Sequence, residues 1–288
     1  AHRCAQRRVG RRGSGRVPRC DAMLRMAAAG APRLCRMKVL AGQIRTAVSK
    51  RCAARPTPVP CRVTHMLRHG DLLFASEPLD LALPLDRAIR EVGVCTIRWL
   101  KEHGGTHVET DSTAEHVAMV VADASGNAVS VVEAVRLLGV RVLPLEGFFS
   151  EFVPGTKFLH GRVTDTSAAE RRKAVSYALL RTGASYADDF APPSPLATTP
   201  WSQSFYCSSL VDYAYRSALE KENVFTNEPF PLMFEPRAFW EEYYECQGLK
   251  IPEGYGSNPT TLLHSDRVDV QPIDLSMLEE KEEVHEMF

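Results

Sequence analysis

Apolar positions along the chain recur with two periods, three-to-four and two, and the alternation between them predicts a mixed α+β domain. Leu210, Val211, Ala214 and Ala218 fall at steps of three and four and predict a helix whose first turn holds Cys207. From Pro84 to His103, Leu85, Ile89, Val92, Thr96 and Trp99 keep helical spacing until Gly104-Gly105 ends the run. Ser167-Ala168-Ala169-Glu170 is a capping-box pattern that opens a helix to about Leu180, with Gly183 as the stop. Pro236 starts a further helix that would lay Phe239, Trp240 and Tyr243 against the body. Strand-like runs occupy Gly70 to Phe74, His116 to Val121, Val129 to Val135 and Lys157 to Val163. The polar, glycine-containing stretch Asp123 to Asn127 predicts a turn that pairs the second and third of these runs as a hairpin.

Candidate chemistry falls at the edges of these elements. A helix N-terminus presents unpaired backbone N–H groups and a partial positive charge, which favour a thiolate at Cys207. The plain alternative is a buried thiol acting as a small hydrophobe. A cysteine hydrolase also needs an imidazole base and a third polar group to orient it. Of the nine histidines only His116 opens an apolar strand-like run, and Glu133 lies inside the valine-rich run across the predicted hairpin, so the two could stand side by side. A histidine at a strand start is commonly structural. A carboxylate buried among valines calls for a partner.

Taken in order, Gly70-Asp71-Leu72-Leu73-Phe74, Glu115-His116-Val117-Ala118-Met119-Val120-Val121, Glu133-Ala134, Val142-Leu143-Pro144-Leu145 and Tyr206-Cys207-Ser208-Ser209-Leu210-Val211 resemble the YiiX-like family. These are circularly permuted papain-like hydrolases related to the NlpC-type peptidases. The resemblance spans roughly residues 68 to 245 and implies a permuted papain-like fold, an antiparallel sheet packed against helices that include the one carrying the nucleophile. It matches Cys207 to the nucleophile, His116 to the general base, Glu133 to the residue orienting the imidazole, and Tyr206 to an aromatic that shapes the oxyanion site. The histidine precedes the cysteine, as the permutation requires. Where the family often has an acid after the cysteine and serine, this chain has Ser209, a departure expected to bear on pocket polarity and to leave the substrate open.

Between Ala184 and Gln203 the chain is proline-rich and aromatic, and Tyr186 and Trp201 are, with Tyr206, the candidate substrate-binding residues; a surface meander covering the helix is the alternative. Net charge is zero over 288 residues, yet residues 1–62 hold sixteen Arg and Lys against one acid, Asp21. This divides the chain into a basic segment at 1–62, a catalytic domain at 63–250, and a flexible, acidic tail at 251–288. The basic segment fits a mitochondrial-type presequence, with a cytoplasmic protein and an over-extended start, Met23, Met26, Met37 and Met66 each offering a later one, as alternatives. A nucleic-acid-binding arm and a disordered segment are further alternatives, although the aromatic interleaving of single-strand binders is missing, and no nucleic acid is expected as a partner of the catalytic domain. No run is long and apolar enough for a membrane span. Five of the eight cysteines lie in the basic segment and no CxxC occurs, so free thiols in a reducing, intracellular compartment are expected. His103 and His107 have i, i+4 spacing but enclose two glycines, and neither metal nor cofactor is expected.

The function expected from these readings is hydrolysis of an amide, in a peptide or a lipid-linked substrate, through an acyl-enzyme on Cys207. A lipid acyltransferase or thioesterase using the same residues, or a non-catalytic interaction module on the same scaffold, are the alternatives.

Overall fold

The computed structural model describes residues 61–103, 111–194 and 199–275. Its elements, in chain order, are α1 (Cys61–Met66), β1 (Leu72–Ser76), α2 (Pro84–His103), β2 (His116–Ala122), β3 (Ala128–Val135), β4 (Gly139–Pro144), α3 (Leu145–Ser150), β5 (Lys157–Val163), α4 (Ala168–Leu179), β6 (Ser185–Tyr186), a 3-10 turn (Pro200–Ser202), β7 (Ser204–Phe205), α5 (Cys207–Leu219), α6 (Arg237–Glu245), α7 (Pro259–Leu263) and β8 (Val268–Ile273). Six strands form one sheet in the order β4-β3-β2-β1-β5-β8, each neighbouring pair antiparallel. A short parallel pair, β6 with β7, stands apart.

Period-two alternation puts apolar side chains on both sheet faces, so both must be covered. Leu72, Phe74, Val117, Met119, Val132 and Ala134 pack against Ala174, Val175 and Ala178 of α4 and Leu210, Val211, Ala214 and Ala218 of α5. Leu73, Ala75, Ala118, Val120, Val131 and Leu143 pack on the opposite side against Val63 of α1, Leu67, and Leu145, Phe148 and Phe149 of α3. A third cluster joins Ala88 and Val92 of α2 to Phe234 and to Trp240, Tyr243 and Tyr244 of α6. In α2 the buried residues are Ala88, Val92, Gly93, Thr96, Ile97 and Leu100, a face wider than the expected stripe, with Leu85 and Ile89 partly buried at its edge against the same aromatic cluster.

Two devices tie the sheet together. Asp71, fully buried just before β1, accepts hydrogen bonds from the Arg68 N–H (2.8 Å), from His160 Nε2 (2.6 Å) and from Arg162 Nε and Nη2 (3.0 and 2.6 Å), which pins β1 to β5. Burial disfavours its charge, but these partners hold its carboxyl below the usual range. Gly139 opens β4 at φ +70°, and a Cβ there would lie 2.2 Å from the Ala184 carbonyl oxygen. Only glycine permits the approach, and through it Val140 and Gly183–Ala184 exchange backbone hydrogen bonds of 2.8 Å.

The expected boundary at 250 needs correction. Residues 251–275 are part of the fold: α7 is buried along its length and β8 pairs with β5 from Phe158↔Ile273 to Val163↔Val268. The apolar residues there, Leu262, Leu263, Val268 and Ile273, come in runs too short to show a period, and Gly, Pro and Asn around them imitate a linker. Asn258 caps α7, its side chain accepting from the Thr261 N–H at 2.8 Å. The basic segment through residue 60, His107 with the glycines before it, and the acidic stretch from 276 lie outside the described residues.

Candidate active site

Cys207 is the first residue of α5, with Tyr206 as its N-cap. Tyrosine cannot cap with its own side chain, and Ser209 compensates: its hydroxyl accepts from the Tyr206 N–H (2.9 Å) and donates to the Tyr206 carbonyl (2.9 Å). Ser209 is therefore a buried capping residue and does not line the pocket, contrary to the expectation that it sets pocket polarity. The bond also commits the Tyr206 N–H, so the backbone donors left at this end of the helix begin with Cys207 itself.

His116 opens β2 at the end of the sheet, where its ring is free to reach the start of α5. The β2–β3 register, with Met119 opposite Val132 and Val120 opposite Val131, places Glu133 diagonal to His116, within reach of two long side chains. His116 Nε2 and Glu133 Oε2 are 2.6 Å apart, which leaves Nδ1 as the ring nitrogen for the sulfur. Burial opposes a charge on the ring, yet hydrogen bonding with Cys207 and Glu133, and the charges of both, lift its pKa to about 10. Glu133 is 2% exposed. Burial works against its charge too, but His116 and Arg141 hold its carboxyl below the usual range. Phe148 and Phe152 flank the imidazole, ring centroids 6.2 and 6.0 Å away.

An apolar groove leads to the sulfur. Cys207, Ser208, Tyr206 and Tyr186 line it together with Ile89 and Val92 of α2, Phe190, Phe230, Leu232, Met233, Phe234, Trp240, Ser257 to Pro259, and one charged residue, Glu115, which is paired with Arg90 at 2.6 Å. It holds about 520 Å³ of unfilled space, its open mouth included. Its walls are fixed by hydrogen bonds: Tyr243 and Tyr244 of α6 donate to the Asp188 and Asp189 carbonyls at 2.9 and 2.6 Å, and the Ser257 N–H donates to the Tyr206 phenol at 3.3 Å. Burial, then the neighbouring Cys207, push the Tyr186 phenol well above its usual range, so a neutral O–H stands beside the thiol.

The structure thus brings together five of the six residues singled out in the sequence, Cys207, His116, Glu133, Tyr206 and Tyr186. Trp201 is not among them. It sits on the 3-10 turn, 64% exposed, and does not line the groove. The aromatic loop divides: Tyr186 and Phe190 point to the groove, while the turn held by Thr199 and Ser202 directs Trp201 to solvent. The sequence reading missed Trp240, Phe234 and Ser257 to Pro259 as groove residues, and Arg141, which donates to Glu133. Arg141 alternates with Val140 and Val142 in β4 and so reads as an ordinary solvent-facing charge. Among the described residues no group of three or more His, Cys, Asp and Glu side chains could hold a metal ion, and no helix is long and apolar enough to cross a membrane.

No curated protein matches the chain. Among solved structures, the metalloprotein YiiX of Escherichia coli O157:H7 is similar at 20% identity and a TM-score of 0.49, over 72% of this chain and 97% of that one. The model of the YaeF/YiiX permuted papain-like amidase family, C92, matches residues 67–269, well over half of the chain, and the protein belongs to that family of enzymes.

Proposed function

We propose that the protein is a cysteine amidase whose substrate carries an apolar acyl group, with Cys207 as nucleophile, His116 as general base and acid, and Glu133 orienting the imidazole. The observation that carries this reading is the position of His116, between a buried carboxylate and a thiol at a helix N-terminus. An imidazole raised to about 10 keeps its proton at neutral pH, ready to be given to a leaving group.

The sulfur attacks the amide carbonyl carbon, and the oxyanion accepts hydrogen bonds from backbone N–H groups at the start of α5. The tetrahedral intermediate collapses as the C–N bond breaks and the imidazolium gives its proton to the departing amine. The neutral imidazole then takes a proton from water, whose oxygen attacks the thioester; acid and thiolate are released and the ring is again protonated. Glu133 stays ionised throughout and holds the ring in one orientation. The groove favours a lipid-linked amide over a polar peptide on the acyl side, because most of its lining is apolar or aromatic and its one carboxylate, Glu115, is already engaged by Arg90 and the Glu77 N–H.

The same groove favours a second reading, acyl transfer or thioester hydrolysis, which differs only in the acceptor or the leaving group. Incubation with a series of N-acyl p-nitroanilides of two to sixteen carbons, followed by intact mass measurement, tests both. Release of nitroaniline that rises with chain length, with an acyl adduct on Cys207, is expected for an amidase. Release only from acyl thioesters, or only with an added amine or alcohol acceptor, would replace the amidase by the second reading. No adduct from any of these substrates would overturn both.

A further inference from the structure

Glu133 has two carboxylate oxygens, and His116 engages only one of them. Directly opposite Glu133 in the β3–β4 register stands Arg141, which donates Nε at 2.8 Å and Nη2 at 2.6 Å, both to Oε1. Arg141 Nη2 is also paired with the carboxylate of Glu151, just past α3. Unbraced, a buried carboxylate next to an imidazole has two freedoms that would spoil its role. It can turn about its broad terminal torsion, and it can take up a proton, because desolvation favours the neutral acid. A guanidinium fork on the far oxygen opposes both at once.

We propose that Arg141 is the positioning residue of the triad: held by Glu151, it fixes Glu133 in the orientation and charge state in which Oε2 steadies His116 against Cys207. The role rests on the triad reading above. Glu151, Arg141, Glu133, His116 and Cys207 then form a chain of alternating charge in which each inner member lies between two opposite ones. The groups that bear on His116 are Glu133 from β3 and Cys207 from α5. Arg141 and Glu151 act through Glu133, and Tyr186 from β6 faces the sulfur as a neutral phenol. Lysine could replace the charge of Arg141 but not the fork.

The test is the rate of Cys207 alkylation by iodoacetamide from pH 4 to pH 9 in the full chain, with peptide mass mapping to separate Cys207 from the other cysteines. It needs no substrate. The unaltered protein is expected to react fast well into the acid range. In Arg141→Met the acid limb is expected to move up by about one pH unit, so that the rate at pH 5 falls about tenfold. Arg141→Lys is expected to recover part of the shift, and Glu151→Gln to show a smaller shift in the same direction. A folded Arg141→Met protein that is less heat-stable but keeps the original profile would overturn the role of Arg141 and leave the triad standing. Should Arg141→Met fail to fold, unmoved profiles in Arg141→Lys and Glu151→Gln would overturn it equally. An ordinary-thiol profile in the unaltered protein would overturn the triad itself, and the role of Arg141 with it.

Discussion

His116 Nε2 lies 2.6 Å from Glu133 Oε2, across two strands joined by a five-residue turn. The short connection fixes the register, the register fixes the diagonal, and the diagonal brings an imidazole to the carboxylate oxygen that Arg141 does not engage. Replacing His116 by Ala is expected to lower the rate of acyl-enzyme formation by two to four orders of magnitude, the usual contribution of a positioned general base. Cys207→Ala is expected to abolish the adduct in intact mass spectra while leaving the far-ultraviolet dichroism unchanged.

The pair also makes a signature in stability. The folded pKa of His116, about 10, lies above its ordinary 6.5, so its contribution is complete below pH 6.5 and is lost as pH climbs through about 10. The lowered Glu133 acts in the opposite sense: its contribution is complete above its ordinary 4.5 and is lost as pH falls through the depressed value. The difference in urea-unfolding free energy between the protein and its His116→Gln variant is therefore expected to be largest between about pH 4.5 and 6.5 and to shrink on both sides. A difference that stays flat from pH 4 to pH 11 would contradict the coupling.

Asp71 lies outside the proposed triad, just before β1, and its carboxylate accepts four hydrogen bonds. Asp71→Asn removes a charge from between His160 and Arg162 and leaves the latter partly buried without its counterion. A loss of about 3–5 kcal/mol is expected, read as a lower urea midpoint, with Cys207 alkylation per folded molecule unchanged.

The two tryptophans with contrasting surroundings separate groove from surface. Trp240, 2% exposed, lines the groove and donates its indole N–H to the Glu235 carbonyl at 3.1 Å, whereas Trp201 is exposed. Trp201→Ala is expected to change stability by less than about 0.5 kcal/mol and to leave KM for long-chain substrates unaltered. Trp240→Phe, which keeps the ring and loses the N–H and part of the volume, is expected to raise KM for those substrates in steady-state assays.

Gly139 gives a backbone test. Gly139→Ala places a methyl against the Ala184 oxygen at a positive φ, at an expected cost of about 2 kcal/mol or more. Because the contact anchors the chain just ahead of Tyr186, groove binding should weaken together with stability, as measured by the thermal midpoint and by KM.

Much of this arrangement was legible in the residues because its signals are local. Asp123 to Asn127 closes a hairpin by turn chemistry alone, and Cys207 and His116 each stand at the start of an element that its neighbours declare, with Glu133 inside a valine-rich strand where a carboxylate calls for a partner. Ser167 and Glu170 form the capping box they spell, the hydroxyl accepting at 3.2 Å and the carboxylate at 2.7 Å. What was not legible depends on distant partners. Arg141 looks like any outward-facing strand arginine until β3 is laid beside β4. Ser257 to Pro259 reads as linker because loop residues acquire meaning only from the wall they complete. Ser209 looked like a pocket residue because its position next to the nucleophile was visible and its bond to the backbone was not.

β8 pairs with β5 more than a hundred residues after that strand began, and the stretch leading into α7 supplies the last wall beside the sulfur. On the ribosome, therefore, an emerging chain displays thiol, imidazole and carboxylate long before it can enclose a substrate. A chain terminated at residue 250 would keep Cys207, His116 and Glu133 while losing the β8 edge of the sheet and the Ser257 to Pro259 wall of the groove.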